Sequence, residues 1–70
     1  MSSVRELRER RLMTQAELAA ASGVGLATIN RIENGKVAPS FRTIRAISQA
    51  LNVDPTTLRQ DLTFKQGSLL

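Results

Sequence analysis

Arginine side chains supply most of the chemistry available to this sequence, which has 70 residues, ten Lys+Arg, six Asp+Glu and no His, Cys, Trp or Tyr. Without Cys there is no thiolate nucleophile and no cysteine-bound zinc or iron–sulfur cluster. Without His, the commonest general base and metal ligand are also absent. Arginine is instead suited to two-pronged contacts with phosphates and base edges. The composition therefore favours anion binding over catalysis, and we expect no enzyme activity, no metal site and no cofactor.

The charge balance has two explanations. A net charge of +4 and an isoelectric point near 11.2 favour an anionic partner such as nucleic acid. The same net charge also lies in the range that simply keeps a small domain soluble. In the N-terminal segment, Arg5–Glu9 and Glu6–Arg10 have the i,i+4 spacing of helical ion pairs, so much of that charge is expected to be neutralised locally.

The elements that must position these side chains are all predicted to be helices. Two Pro, four Gly and few clusters of β-branched residues leave almost nothing to form strands. The chain is long enough for one domain, which would bury about 60% of its unfolded surface. The first predicted helix spans 3–12, with Val4, Leu7 and Leu12 facing inward.

Local signals define the second helix at both ends. Thr14 and Glu17 have the spacing of a capping box, in which each side chain bonds the other residue's backbone N–H. Met13 and Leu18 flank this start as a hydrophobic staple. Gly23 is suited to the left-handed conformation that follows a helix end.

The third helix is predicted to begin near Gly25, to bury Ile29 and Ile32, and to end at residues 34–35. The turn before it is so short that the two helices must cross steeply, with the small Ala19 where their backbones meet. This arrangement is a helix-turn-helix, whose second helix can enter the major groove of DNA, although ordinary α-hairpins share the pattern.

Two more helices are predicted after a loop at residues 36–39. Ser40 caps the fourth helix, and Asp54 caps a short fifth helix with Pro55 in its first position, running to about Leu62. Residues 63–70 have no periodicity and are expected to be irregular. The predicted inward stripe of the fourth helix is Phe41, Ile44, Ile47 and Leu51.

One set of residues extends this pattern over nearly the whole chain. They are Leu7-Arg8, Thr14-Gln15-Ala16-Glu17-Leu18-Ala19, Gly23-Val24, Ile29-Asn30-Arg31-Ile32-Glu33-Asn34-Gly35, Pro39-Ser40 and Ala50-Leu51-Asn52-Val53. The set resembles the lambda-repressor/Cro-type helix-turn-helix family, also called the XRE family, over residues 4–62. The resemblance implies a compact, all-α, five-helix domain over residues 1–63, followed by a tail at 64–70 that is either flexible or part of a dimer contact.

The resemblance also implies that the third helix, residues 25–34, contacts bases in the major groove. Leu26 and Ala27 depart from the glutamines frequent in phage repressors, and they can only touch a thymine methyl or exclude water. Arg31 can bind both acceptors of a guanine and is expected to carry most of the sequence preference, with a phosphate contact as its alternative role. The expected base-contacting residues are Leu26, Ala27, Thr28, Asn30 and Arg31.

A second group is similar in position to the family's phosphate contacts. Gln15 begins the second helix, with a solvated polar residue as its alternative role, and Asn34 has an equally ordinary role as a helix-end residue. Backbone N–H groups at 40–43 could add an anion site. The expected phosphate-contacting residues are Gln15, Asn34, Lys36, Ser40, Arg42 and Thr43.

Glu33 conflicts with local rules. A carboxylate near a helix C-terminus opposes the helix dipole, and one facing DNA would be repelled. Glu33 therefore needs a cation, and we expect a structural ion pair with Arg8, as the family resemblance also implies.

Together these features predict a cytoplasmic transcriptional regulator that binds double-stranded DNA, acting as a homodimer on a pseudo-palindromic operator. The alternative is a small protein-interaction module, such as an antitoxin or adaptor, that uses the same helices against a protein partner. We expect no membrane association, because no apolar run approaches the about 20 residues of a membrane span.

Overall fold

The computed structural model of the protein describes residues 3–62, with side chains described as far as residue 58. Five helices form this part of the chain, and no strand lies between residues 3 and 62. In chain order they are α1 (Ser3–Arg10), α2 (Gln15–Ser22), α3 (Leu26–Glu33), α4 (Phe41–Leu51) and α5 (Pro55–Leu62). The all-α, five-helix prediction is confirmed.

Capping chemistry places the helix boundaries where the sequence predicts them. Thr14 and Glu17 form both bonds of the capping box, at 3.0 and 2.7 Å. Ser40 Oγ accepts from the backbone N–H of Thr43 at 3.2 Å at the start of α4. Asp54 Oδ1 accepts from the backbone N–H of Thr56 at 2.8 Å before α5. Each bond satisfies an N–H group that the helix itself leaves without a partner.

The core joins all five helices around α4, which packs against α1, α2 and α5. Fully burying one large aliphatic side chain contributes about 1.5–3 kcal/mol, so the buried aliphatic residues of the core supply most of the drive to fold. Leu7, Met13 and Val53 pack partly buried against them. The buried core residues are Val4, Leu18, Ile29, Ile32, Ile44, Ile47, Leu51 and Leu58.

The prediction that Leu12 faces inward is wrong. Helix α1 ends at Arg10, two residues earlier than predicted, and the chain turns before Leu12 can join its inner face. Leu12 is 91% exposed and has a φ of 56°, while Met13 takes the position against the core.

The predicted burial of Phe41 is also wrong, since its side chain is 56% exposed. Phe41 is the first residue of α4 and lies at the edge of the core, where it lines a shallow groove with Ile44 and Pro55. The inner stripe of α4 therefore begins one turn later.

Neither ion pair predicted within α1 is confirmed, and Arg5 pairs with Glu33 on α3. Both ion pairs within residues 3–58 go to Glu33, and Glu6–Arg10 is not among them. A solvent-exposed helical pair gains only a few tenths of a kcal/mol, which does not compensate for ordering two long side chains. None of helices α1 to α5 is long and apolar enough to cross a membrane. The predicted tail at 64–70, and with it the boundary at 63, lies outside the described residues.

Candidate nucleic-acid interface

The α2–α3 unit depends on one backbone conformation at Gly23. Gly23 adopts a left-handed φ of 75°, and its N–H donates to Ala19 O at 2.9 Å. Only residues 23–25 separate the two helices. A left-handed residue costs an L side chain about 1–2 kcal/mol, so glycine allows α2 to end and the chain to reverse at once. The predicted helix-turn-helix geometry is present.

Helix α3 has one buried and one exposed face. Ile29 and Ile32 point into the core, and Glu33 is buried beside them. Ala27 and Arg31, four residues apart, lie on the exposed side. Leu26 is 49% exposed at the start of the helix. The residues expected to contact bases are therefore exposed on α3, except Thr28, which is half-buried.

The first turn of α3 has no acidic residue, and its N-cap, Gly25, offers no side chain to bond the free N–H groups. The helix dipole places partial positive charge at this end. The exposed end of α3 is therefore electrostatically suited to an anionic partner.

Glu33 is only 5% exposed, and its carboxylate accepts hydrogen bonds from side chains of both α1 and α2. Arg8 Nε donates to Oε2 at 2.7 Å, and Arg8 Nη2 donates to Oε1 at 2.9 Å. Gln15 Nε2 and Arg5 Nε also donate to Oε1, at 3.0 and 3.4 Å. Arg8 Nη1 additionally donates to the carbonyl of Met13 at 2.8 Å. The expected Arg8–Glu33 pair is confirmed, and it ties α3 to α1 and to the turn before α2.

Burial alone would raise the pKa of the Glu33 carboxyl, because it penalises the charged form. The hydrogen bonds from Arg8, Gln15 and Arg5, with the charge of Arg8, outweigh that penalty and hold the pKa below its ordinary value. The hydrogen bond to Glu33 raises the pKa of Arg8 above its ordinary value. Both groups are therefore charged at neutral pH.

The bonds around Glu33 close into a ring that the sequence did not predict. Arg5 Nη2 donates to Asn34 Oδ1 at 3.1 Å, and Asn34 Nδ2 donates to Asn30 Oδ1 at 3.1 Å. Asn30 Nδ2 donates to Gln15 Oε1 at 3.3 Å, and the Gln15 and Arg5 bonds to Glu33 complete the circuit. We call these five residues the polar ring. The one available signal was Glu33 itself, since a buried carboxylate needs more donors than one arginine supplies.

The polar ring restrains three of the residues expected to contact DNA. Gln15 and Asn34 were expected at phosphates and Asn30 at a base, and here their amides bond one another. An amide nitrogen carries two N–H donors. Each of these three amides uses one donor in the ring.

The remaining cations lie after α3. Gly35 has a φ of 70°, and the N–H of Lys36 donates to Arg31 O at 2.9 Å, which brings Lys36 back against the end of α3. Arg42 is exposed in the first turn of α4, a turn without acidic residues. No ion pair within residues 3–58 involves Arg31, Lys36 or Arg42.

Ser40 and Thr43 stand at the same end of α4, with their hydroxyls 3.1 Å apart. A cation near a helix N-terminus opposes the dipole, so Arg42 adds positive potential where the backbone N–H groups already supply some. The first turn of α4 is therefore a second positive region, which follows the end of α3 in the chain.

A family model described as "Helix-turn-helix" matches residues 4–58, which covers α1 to α4 and the start of α5. The chain belongs to the XRE-type helix-turn-helix family. The match takes in Glu33, the polar ring and the whole of α3. Within the part of the chain that the structure describes, no group of three or more Asp or Glu side chains could hold a metal ion.

Two curated proteins of Bacillus subtilis (strain 168) are similar to this helix-turn-helix chain. The HTH-type transcriptional repressor RghR is 47% identical over 51 residues, which is 71% of this chain and 38% of the relative. The uncharacterized HTH-type transcriptional regulator RghRB is 45% identical over 51 residues, again 71% of this chain and 37% of the relative. The chain thus spans less than two fifths of the length of these relatives. No solved structure gives a significant match.

Proposed function

We propose that this helix-turn-helix chain is a transcriptional regulator that binds double-stranded DNA with α3 in the major groove. The observation that carries the proposal is the outward face of α3, where Ala27 and Arg31 are exposed on a helix whose other face is fixed by Ile29, Ile32 and Glu33. The groove of B-DNA is about 12 Å wide and admits one helix. The regulator names of the two relatives support the same proposal, and RghR's name supports repression as the outcome.

Arg31 is proposed to determine sequence preference. Its guanidinium can donate to O6 and N7 of one guanine. Leu26 and Ala27 would contact thymine methyl groups, and their apolar side chains favour A·T pairs at those positions. Thr28 and Asn30 are proposed as further base contacts, with Asn30 using the N–H donor that the polar ring leaves to it.

Phosphate contacts are proposed to supply the affinity that does not depend on sequence. Lys36 brings positive charge after the end of α3, and Arg42 brings it to the first turn of α4, whose N-terminus adds backbone N–H donors. Gln15 and Asn34 each have an amide donor for a phosphate oxygen while remaining in the ring. The proposed phosphate-contacting residues are Gln15, Asn34, Lys36, Ser40, Arg42 and Thr43.

The regulator is proposed to bind as a homodimer. Members of this structural class place two recognition helices on half-sites about 34–36 Å apart, so the operator would be pseudo-palindromic. Sedimentation of the protein on a duplex with one half-site or with two tests this proposal directly. A single protomer on the two-half-site duplex would contradict it.

Selection of bound sequences from a random duplex pool tests the proposed function. The expected result is a pseudo-palindromic motif whose binding survives moderate salt. A pool that stays random, or the absence of duplex binding together with co-purification of one defined protein, would instead favour the interaction-module alternative.

A further inference from the structure

A groove on the side of α1 and α4 is distinct from the proposed DNA-binding residues. It has a volume of about 500 Å³ and lies between the end of α1, the turn after it and the end of α4. Ala50 is seven residues beyond Thr43 on α4, about 10 Å along the helix axis from the end assigned to phosphate. The residues that line the groove are Leu7, Arg10, Arg11, Met13, Ala50 and Val53.

The chemistry of the groove is an apolar floor with a cationic rim. Leu7, Met13 and Val53 are only half-buried although they pack against the core, so each keeps apolar surface exposed to solvent. Arg10 and Arg11 are exposed beside them, and neither forms an ion pair within residues 3–58. No acidic side chain lines the groove among the described residues.

A further exposed apolar residue, Leu12, lies in the chain between two residues that line the groove. It lies in the chain between Arg11 and Met13, is 91% exposed, and has a left-handed φ of 56°. A phosphate backbone gains nothing from such apolar surface, whereas the apolar side chains of a protein segment would bury it.

Because the rim of the groove is cationic and its floor is apolar, we propose from charge complementarity that the groove binds an acidic segment of a protein partner. This segment carries apolar side chains between its carboxylates. Apolar side chains of the segment occupy the floor formed by Leu7, Met13 and Val53. Its carboxylates pair with Arg10 and Arg11, whose planar guanidinium groups donate to two carboxylate oxygens at once. The proposal goes beyond the DNA-binding function and does not depend on it.

Peptide titration of the isotope-labelled chain, followed through its amide NMR signals, tests the proposal. The probe is a short synthetic peptide with leucines at helical spacing and glutamates elsewhere. It is compared with a scrambled peptide of the same composition and with a peptide that has lysine in place of glutamate. The expected result is shifts at Leu7, Arg11, Met13, Ala50 and Val53, with the scrambled peptide about tenfold weaker and the lysine peptide not binding.

Matched variants separate the groove from general electrostatics. The double variant Arg10→Gln/Arg11→Gln should weaken binding of the acidic peptide about fivefold. Arg45→Gln should change binding of the acidic peptide less than about twofold. The reason is that Arg45 is exposed on a different groove, between α4 and α5, with Phe41 and Ile44. All three side chains are exposed, so both variants are expected to fold.

Four results would overturn the proposal. Equal binding of the acidic and scrambled peptides would show attraction without a docking site. Self-association of the chain that shifts the same amide signals would show that the groove is occupied by a second copy. Saturation by octanoate at a lower concentration than the peptide would show that the groove binds a small amphiphile. Groove shifts on adding random duplex DNA, with duplex binding weakened in the double variant as much as in Lys36→Ala, would place Arg10 and Arg11 at DNA.

Discussion

Arg8 Nε donates a 2.7 Å hydrogen bond to Glu33 Oε2, joining the first helix to the helix proposed to contact bases. The Glu33 side chain is fully buried and that of Arg8 is 11% exposed. Removing one partner of a buried pair leaves the other charge without compensation, which typically costs about 3–5 kcal/mol. A domain of this size has a total stability of about 4–10 kcal/mol. This one contact therefore affects both whether the domain folds and how α3 is held.

We expect Arg8→Met and Glu33→Met to destabilise the domain by about 3–5 kcal/mol each, and the double variant to lose much less than their sum. The reason is that the double variant leaves no uncompensated charge on either partner. A double-mutant cycle by urea unfolding measures the coupling, and a coupling near zero would contradict the pairing. Glu17→Gln is a suitable control because Glu17 is exposed on α2, in a local capping box.

Stability should fall in acid, partly through Glu33. Its pKa in the folded state lies below the value of about 4.3 for an unfolded chain. A lowered pKa contributes stability that is fully present above about pH 4.3 and is lost as the pH falls through the folded-state pKa. The hydrogen bond to Glu33 raises the pKa of Arg8, so its guanidinium stays charged throughout the acid range and adds nothing to this pH dependence.

Urea unfolding between about pH 2 and 7 checks this expectation. Asp54 contributes with the same sign, because its hydrogen bonds from the Thr56 hydroxyl and backbone N–H lower its pKa. In Asp54→Asn, the free energy of unfolding should therefore keep the pH dependence due to Glu33. In Glu33→Gln, it should keep the pH dependence due to Asp54. An unchanged acid slope in Glu33→Gln would contradict the assignment.

Leu12→Gly should stabilise the domain. Leu12 has a φ of 56° and is 91% exposed, so the substitution relieves a left-handed side chain and loses little burial. Relief of about 1–2 kcal/mol is offset by the greater freedom of glycine in the unfolded chain, which leaves a gain of up to about 1 kcal/mol.

Gly35→Ala provides the opposite control for that prediction. Gly35 has a φ of 70° with open space around it, so only backbone strain should be added, and a loss of about 1 kcal/mol is expected. Thermal unfolding of both variants compares them directly. A lower unfolding temperature for Leu12→Gly would contradict the strain at residue 12.

Lys36→Ala should weaken binding to all duplexes alike and reduce the slope of log affinity against log salt by about one. The physical reason is that a phosphate contact releases counterions regardless of sequence. Arg45→Ala removes an equally exposed charge from the α4–α5 groove and should change the slope much less. Equal changes in the two variants would argue against a local phosphate contact at Lys36.

The sequence predicted the helices well because their ends depend on local chemistry. The capping box at Thr14 and Glu17, the turn at Gly23 and the cap at Ser40 involve residues a few positions apart. Arg8–Glu33 was also predictable, since a carboxylate near a helix C-terminus opposes the helix dipole and needs a cation, and the family resemblance implies the same pair.

The remaining features depend on how the helices pack. Exposure of Leu12 and Phe41 follows from where α1 ends and where the core stops, which a periodic pattern does not specify. The polar ring joins residues up to 29 positions apart. The i,i+4 spacing of Asn30 and Asn34 allows a bond between them, but no local signal predicts that these two amides link Gln15 to Arg5.

The central claim is that exposed residues of α3 select the DNA sequence. Its most direct test is the affinity of the protein and of Arg31→Ala for the selected duplex and for a random duplex of equal length, at one salt concentration. We predict that the unmodified protein prefers the selected duplex by about 10³-fold or more. Arg31→Ala should lose about 5- to 150-fold on the selected duplex, with much less change on the random one. An equal loss on both duplexes, or no preference by the unmodified protein, would contradict the account.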